Sequence, residues 1–212
     1  MSSVVSSNST PLETQVENVD GGLDVTGQRG EDNIIELTGD ANDGVIGGTL
    51  NDIISTDGGD DDIFADAGDD IIFAGAGDDL LRGGDGDDIL DGGDGFDKIR
   101  GGNGNDIIRS GLGGVDENGE PKGDVLFGGA GADVFEFSAE EFEDDSVDTI
   151  KDFKADGFAD IITISGVGEG SEVTYDAATG FVSIDGEHAI HIGENQDVIA
   201  TNEDGDDTWE LF

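Results

Sequence analysis

The chain has 212 residues, with 53 Asp and Glu against 8 Lys and Arg, which gives a formal net charge of −45. This charge repels phosphate and anionic headgroups, so it argues against nucleic acid and membrane surfaces as partners. Apolar residues make up only 34% of the chain and Gly contributes 38 residues, so we expect a compact fold only if bound cations neutralise the acidic side chains.

Residues 1–37 form an N-terminal segment that starts rich in Ser, Thr and Asn and is only weakly patterned. It has no basic region and no apolar run longer than Val4–Val5, so no N-terminal secretion signal or membrane span is predicted. We expect it to be partly disordered or to donate a strand to a neighbouring molecule through Val4, Val5, Leu12, Val16 and Val19. The chain has no Cys, so disulfides cannot stabilise it.

Residues 38–136 repeat a nine-residue pattern, of which GGDGDDILD at Gly83–Asp91 is one copy. Gly recurs at positions 1, 2 and 4, Asp at position 6 and an aliphatic residue at position 8. Glycines permit positive φ and close backbone approach, so they favour a tight turn over the first six residues. Positions 7–9 then form a short strand whose position-8 side chain enters the core. Two units make one coil, so the predicted fold is an all-β, right-handed parallel β-helix, or β-roll.

The period is interrupted once, in the stretch SGLGGVDENGEPKGDVLF that begins at Ser110. An uninterrupted frame would place Val115 at position 6 and Glu117 at position 8. A loop of nine residues inserted at about 114–122 instead places Asp124 at position 6 and Leu126 at position 8. We favour the insertion. Without it, Asp106 would stack on Asp124 and one site would be lost.

The position-6 aspartates are the candidate metal ligands, because stacked carboxylates 18 residues apart cannot all stay ionised without a cation. Calcium takes six to eight carboxylate and carbonyl oxygens, and a glycine-rich turn supplies both kinds. The predicted side-chain ligands are Asp43, Asp52, Asp61, Asp70, Asp79, Asp88, Asp97, Asp106, Asp124 and Asp133. The predicted turn-backbone ligands are Gly83, Gly84, Gly86, Gly92, Gly93, Gly95, Gly101, Gly102, Gly104, Gly128, Gly129 and Gly131. Pairing successive aspartates predicts several Ca²⁺ ions, up to about eight.

Residues 137–212 lose the period and gain aromatic residues. We expect a β-rich C-terminal cap in this region. Phe181–Ile192 alternates around Asp185-Gly186 and predicts a hairpin. His188 and His191 would lie on opposite faces of its second strand, which makes them a poor metal pair.

The nonapeptides, most regular from Ala65 to Arg109 and again at Gly128–Glu136, resemble the repeat-in-toxin (RTX) family of secreted bacterial proteins. DTIKDF at Asp148–Phe153 and ADIITI ending at Ile164 are similar to the capping segment of such proteins. The final DDTWELF is similar to the uncleaved C-terminal signal read by a type I secretion apparatus. The resemblance therefore implies an extracellular location, at or away from the cell surface.

The sequence offers no catalytic motif, since neither HExxH nor GxSxG occurs. We therefore expect no enzyme but a secreted protein that folds in extracellular calcium and self-assembles as a homo-oligomer or polymer in a matrix, biofilm or surface layer. The alternative is a monomeric accessory module that binds extracellular polysaccharide or assists a secreted enzyme. A third possible function is that of a small hydrolase, with a site in residues 137–212 that uses His188 or His191.

Overall fold

A computed structural model of the chain describes residues 15–19, 22–27, 30, 32–142, 146–154, 159–168, 171–193, 200–201 and 208–211. These residues form strands almost throughout, and the helical element among them is a short 3-10 helix, η1, at Ala139–Phe142. None of the described segments forms a helix long and apolar enough to cross a membrane.

The strands build two large sheets and one small hairpin. In chain order they are β1 (Gln15–Val19), β2 (Gly22–Thr26), β3 (Ile34–Glu36), β4 (Gly44–Gly48), β5 (Ile53–Ser55), β6 (Asp62–Ala67), β7 (Ile71–Ala76), β8 (Leu80–Asp85), β9 (Ile89–Asp94), β10 (Lys98–Asn103) and β11 (Ile107–Leu112). They continue as β12 (Gly114–Val115), β13 (Pro121–Lys122), β14 (Val125–Ala130), β15 (Val134–Ser138), β16 (Asp148–Ile150), β17 (Ile161–Ser165), β18 (Val173–Asp176), β19 (Phe181–Ile184), β20 (Glu187–His191), β21 (Ala200–Thr201) and β22 (Trp209–Leu211).

Consecutive repeat units contribute strands to alternate sheets, as expected when two units make one coil. The eleven-stranded sheet runs β1-β2-β4-β6-β8-β10-β14-β16-β20-β19-β18, and the nine-stranded sheet runs β21-β22-β17-β15-β11-β9-β7-β5-β3. Within the roll the strands are parallel, and Ile63, Leu81 and Ile99 lie directly beside one another in register. The predicted parallel β-roll is confirmed.

The core lies between the two sheets and is built from the position-8 residues. Each of these residues is at most 1% exposed: Val45, Ile54, Ile63, Ile72, Leu81, Leu90, Ile99, Ile108, Leu126 and Phe135. From Gly47 onwards position 1 is also buried, and it is occupied by Gly, Ala, Ser or Thr. The repeat thus folds because one aliphatic side chain per nine residues fills a narrow interior.

The strands are longer than the sequence predicted. A full strand such as β9 covers positions 7 to 9 of one unit and positions 1 to 3 of the next, so only positions 4 to 6 form the turn. The expectation that positions 1 to 6 all belong to the turn is wrong. The first glycines of each unit instead pair in the parallel ladder, as Gly84 does with Gly102.

The interruption after Ser110 forms a short antiparallel hairpin of β12 and β13. Beyond it the register resumes as though nine residues had been inserted, with Lys98 beside Val125 and Ile107 beside Val134. Pro121 is the first residue of β13, a position where its missing N–H does not break a central ladder.

The parallel ladder extends beyond the predicted repeat limits of 38 and 136. It begins at β2 and β3, which pair with β4 and β5, and it continues through β16 and β17. Before it, β1 pairs antiparallel with β2 of the same chain, whereas one expectation was a strand donated to a neighbour. Residues 1–14, including Val4, Val5 and Leu12, lie outside the described residues.

The C-terminal region caps the roll with antiparallel strands. β19 and β20 form the predicted hairpin, and Asp185 (φ 53°) and Gly186 (φ 89°) make its turn with two positive φ values. β22 pairs antiparallel with β17 and buries Leu211. These strands cover the final coil of the core.

Candidate calcium-binding sites

The ten predicted aspartates lie in two columns, one for each sheet, at the turn that precedes each strand. All ten are buried, from 4% exposed for Asp43 to 0% for Asp97, Asp106 and Asp124. One column contains Asp43, Asp61, Asp79, Asp97 and Asp124, and the other contains Asp52, Asp70, Asp88, Asp106 and Asp133. Each pair expected from the 18-residue stacking is therefore brought together.

Within each column, one oxygen of every carboxylate ties two coils together. The backbone N–H of Asp61 donates to Oδ1 of Asp79 at 2.7 Å, and the N–H of Asp88 donates to Oδ1 of Asp106 at 2.9 Å. The ladder crosses the inserted hairpin without a break, because the N–H of Asp97 donates to Asp124 at 2.7 Å. We call these contacts the inner ladder.

The second oxygen of these carboxylates is buried and accepts no hydrogen bond from the described residues. This holds for Oδ2 of Asp52, Asp61, Asp70, Asp79, Asp88, Asp97, Asp106 and Asp124. A buried carboxylate oxygen without a donor costs several kcal/mol unless a cation or proton satisfies it. The repeated orphan oxygen is the strongest structural sign of a cation site in this chain.

The position-1 glycines keep the space beside Oδ2 open. A Cβ added to Gly83 would lie 2.1 Å from Oδ2 of Asp88 and 2.8 Å from the carbonyl oxygen of Gly101 in the next coil. Gly92 has the same surroundings, formed by Asp97 and Ser110. A carboxylate oxygen and a backbone carbonyl oxygen thus flank a space that a side chain would fill.

The glycines at positions 2 and 4 have a different role from those at position 1. Gly84 (φ 133°) and Gly86 (φ 138°) have positive φ, as predicted, and a Cβ on either would collide with a carbonyl oxygen of the preceding coil. At position 1 the expected close approach is confirmed, but Gly83, Gly92, Gly101 and Gly128 do not have positive φ. Position 1 belongs to the extended strand, where close approach and not backbone conformation requires glycine.

The donor atoms available at each turn fit calcium. No group of three or more His, Asp or Glu side chains with metal-binding geometry occurs in the described part of the chain. At position 1 a backbone carbonyl oxygen of the next coil lies beside the buried carboxylate oxygen. Calcium accepts six to eight oxygens in flexible geometry, with carboxylate and carbonyl ligands together, whereas zinc selects Cys and His. The ligand roles of the individual aspartates and glycines remain predictions.

Burial makes the free carboxylates hard to ionise. Desolvation raises the pKa of Asp61 to about 7, of Asp97 to about 8 and of Asp124 to about 9. Neighbouring carboxylates raise these pKa values further, while the backbone N–H of the inner ladder lowers them. Without a cation, the folded roll therefore favours the protonated forms of Asp97 and Asp124 at neutral pH.

Two further aspartates extend the columns and were not predicted. The N–H of Asp124 donates to Oδ1 of Asp148 at 2.7 Å, and the N–H of Asp133 donates to Oδ1 of Asp160 at 3.1 Å. Both are buried. The available signal was the tripeptide of Asp, any residue and an aliphatic residue, which recurs as DTI and DII after the nine-residue period has ended.

A second ladder, also not predicted, runs along the position-5 residues at the outside of each turn. The N–H of Asp78 donates to Oδ1 of Asp60 at 3.0 Å, and the N–H of Asp87 donates to Asp69 at 3.0 Å. These side chains are exposed and accept from the following coil, whereas those of the inner ladder accept from the preceding one. We call these contacts the outer ladder.

In chelator, acid should substitute for calcium. Because folding raises the pKa of the buried carboxylates, their protonation stabilises the metal-free roll. This stabilisation is fully present below about pH 4, and it is lost as the pH rises through the folded-state pKa values of about 6 to 9. We expect far-ultraviolet circular dichroism in chelator to show more β-structure at pH 5 than at pH 8. Equal spectra at both pH values would contradict the assignment.

Asp88→Asn and Asp87→Asn remove the same charge from adjacent residues and so form a matched pair. Asp88 is buried with an orphan Oδ2, whereas Asp87 is an exposed member of the outer ladder. We expect Asp88→Asn to raise the calcium concentration at half-folding by at least about tenfold, and Asp87→Asn to change it by less than about twofold. Equal shifts in a calcium titration would mean that general charge, and not the buried oxygen, controls binding.

The comparison with known families agrees with this geometry. Residues 46–81, 82–114 and 118–139 match the family described as RTX calcium-binding nonapeptide repeat (4 copies). No curated protein is significantly similar to the chain in sequence. The repeat sequence, the parallel roll and the match together show that residues 46–139 carry RTX calcium-binding nonapeptide repeats.

Proposed function

We propose that this chain is a secreted, non-enzymatic protein that folds on meeting extracellular calcium and self-assembles as a structural component of a matrix, biofilm or surface layer. The observation that carries the proposal is the column of buried carboxylate oxygens without a hydrogen-bond donor among the described residues. A fold that buries such a column at a net charge of −45 depends on cations for its stability.

Calcium binding and folding are one process in this proposal. A stacked pair of aspartates does not exist in the extended chain, so the binding free energy appears as folding free energy. Each interior aspartate is shared between the pair above it and the pair below it. Occupation of one site therefore places the ligands of the next, and about eight ions would fill the predicted pairs.

The same coupling suits export. At low cytosolic calcium, self-repulsion of the acidic chain keeps it extended and able to pass through a secretion channel. The proposed C-terminal signal ends in WELF, and in the folded chain β22 pairs with β17 and buries Leu211. A type I apparatus would thus bind this segment before the chain folds. Folding in extracellular calcium would then pack the segment against β17.

A catalytic role has little support from the described residues. The ring of His191 packs on Phe181 with centroids 4.9 Å apart, and the side chain of His188 lies outside the description. The aspartates that might act as an acid pair belong to the inner ladder. The absence of an enzyme activity remains part of the proposal.

The first test is sedimentation velocity of the whole chain, in chelator and then in a few millimolar calcium. We expect a slow, expanded monomer in chelator and large assemblies in calcium. A compact monomer in calcium would keep the folding mechanism and remove self-assembly from the proposal. An unchanged sedimentation coefficient would overturn both.

One surface favours the alternative function, binding of an anionic polysaccharide. On the outer face of the eleven-stranded sheet, Arg82 lies over the ring of Phe64 at 4.0 Å and Arg100 lies over Phe127 at 4.7 Å. Lys98 lies on the same face beside Leu80. Aromatic faces with adjacent guanidinium groups suit the ring and carboxylate of a uronic acid, and three cations together are unusual in a chain with 8 Lys and Arg.

Short uronate oligosaccharides, which do not gel in calcium, provide the test by isothermal titration calorimetry. If the surface binds them, Arg82→Gln with Arg100→Gln should abolish binding, and added salt should weaken it. Arg109→Gln on the opposite sheet is the control and should retain binding. Equal affinity in all variants, or no binding by the wild type, would reject this alternative.

A further inference from the structure

The outer face of the nine-stranded sheet carries a continuous row of aliphatic side chains. They occupy position 7 of seven adjacent strands, β3, β5, β7, β9, β11, β15 and β17, and their register places them directly side by side. We call this row the isoleucine ladder: Ile34, Ile53, Ile71, Ile89, Ile107, Val134 and Ile161.

The opposite face provides an internal comparison. The same position on the seven equivalent strands of the eleven-stranded sheet is occupied by Asp24, Gly44, Asp62, Leu80, Lys98, Val125 and Thr149. The roll therefore tolerates acidic, basic, small and polar side chains at this position. The isoleucine ladder is not needed to form the strand and calls for another explanation.

The ladder is accessible to solvent. Ile34 is 38% exposed, Ile53 is 42% exposed and the adjacent Phe73 is 43% exposed. The ladder residues from Ile71 to Ile161 are each partly exposed. A contiguous apolar row on a solvent-exposed surface is characteristic of an interaction site.

We propose that the isoleucine ladder is a homotypic interface through which two calcium-loaded copies of this chain pack face to face. This inference rests on the proposed self-assembly and assigns a surface to it. The row is about 29 Å long, since seven strands are spaced about 4.8 Å apart, and full strands of six residues are about 20 Å long. The face thus offers about 600 Å² per copy, at the lower limit for a specific complex, so we expect concentration-dependent pairing.

The face is complementary to itself in shape and charge. A second copy presents ridges with the same spacing, so the two rows can interdigitate as in stacked sheets about 10 Å apart. A two-fold axis parallel to the strands and between β9 and β11 would place Ile89 against Ile107 of the second copy. It would also place Asp91 beside Arg109 of the second copy, which gives two reciprocal ion pairs.

The charge of the chain explains why such pairing would require an apolar surface. Two calcium-loaded copies still repel each other, because about eight Ca²⁺ ions would neutralise only part of the formal charge of −45. Position 9 of the nine-stranded sheet brings Arg109 between Asp91 and Glu136. Arg109 contacts Glu136 at 2.7 Å, so the centre of this face is close to neutral. The ladder side chains themselves carry no charge, and the row exists only when calcium has folded the roll.

Ile89→Lys and Leu80→Lys form the matched pair that tests the interface. Each adds one positive charge at an exposed face of position 7, where Lys98 shows that lysine is compatible with the strand. Both lower the net negative charge, so general repulsion between copies decreases in both variants. By symmetry, Ile89→Lys would place two lysines at the centre of the proposed interface.

The readout is sedimentation velocity of the full chain over a concentration series in calcium, with circular dichroism to follow folding. We expect the wild type and Leu80→Lys to associate, and Ile89→Lys to require at least about tenfold higher concentration. If Ile89→Lys does not fold, Ile89→Thr replaces it, since Thr149 occupies the equivalent position of β16, with a smaller shift in the same direction.

The outcomes separate this inference from the proposed function. Association of Ile89→Lys and Ile89→Thr at the wild-type concentration would overturn the ladder interface while self-assembly through another surface stands. A wild-type chain that folds in calcium but stays monomeric would overturn both. Equal losses in Ile89→Lys and Leu80→Lys would also overturn the ladder as the specific surface.

Discussion

The structure depends on an aspartate that is buried at every turn of the roll. One carboxylate oxygen accepts the backbone N–H of the preceding coil, and for most of these side chains the other oxygen meets no donor among the described residues. Such a carboxylate stabilises the stack only when a cation or proton neutralises it. The surrounding glycines serve this constraint, because position 1 leaves the space beside the free oxygen open and positions 2 and 4 bring carbonyl oxygens close to the next coil.

At most turns of the repeat, adjacent coils are connected twice, by ladders of opposite direction. In the inner ladder a carboxylate accepts from the coil before it, and in the outer ladder an exposed side chain accepts from the coil after it. Each coil therefore contributes donors and acceptors to both neighbours, which favours growth of the fold along one axis. The inner ladder crosses the inserted hairpin of β12 and β13, where the N–H of Asp97 donates to Asp124. The outer ladder continues in the nine-stranded sheet, where Asn105 accepts from Ala132, but in the other column it ends at Phe96, whose side chain has no acceptor atom.

The outer faces of the two sheets take no part in the inner or outer ladder, and their side chains differ from each other. Cations and aromatic rings lie together on the eleven-stranded sheet, while aliphatic side chains form the ladder on the nine-stranded sheet. Neighbouring strands of one sheet are two units apart in sequence, so the two faces can be chosen independently at alternate units. A nine-residue repeat for calcium can thus carry an eighteen-residue pattern for recognition.

The sequence by itself determined the roll, its core and the ten aspartates, because a strict nine-residue period encodes which residues stack. At the interruption after Ser110 the sequence favoured a nine-residue insertion over an uninterrupted frame. That insertion placed Asp124 and Asp133 correctly in their columns. Only the tertiary structure decided where the inner ladder ends, since Asp148 and Asp160 follow Asp124 and Asp133 by 24 and 27 residues after the nine-residue sequence pattern has been lost. It also separated the roles of the glycines, because positive φ at Gly84 and close approach at Gly83 give the same residue for different physical reasons.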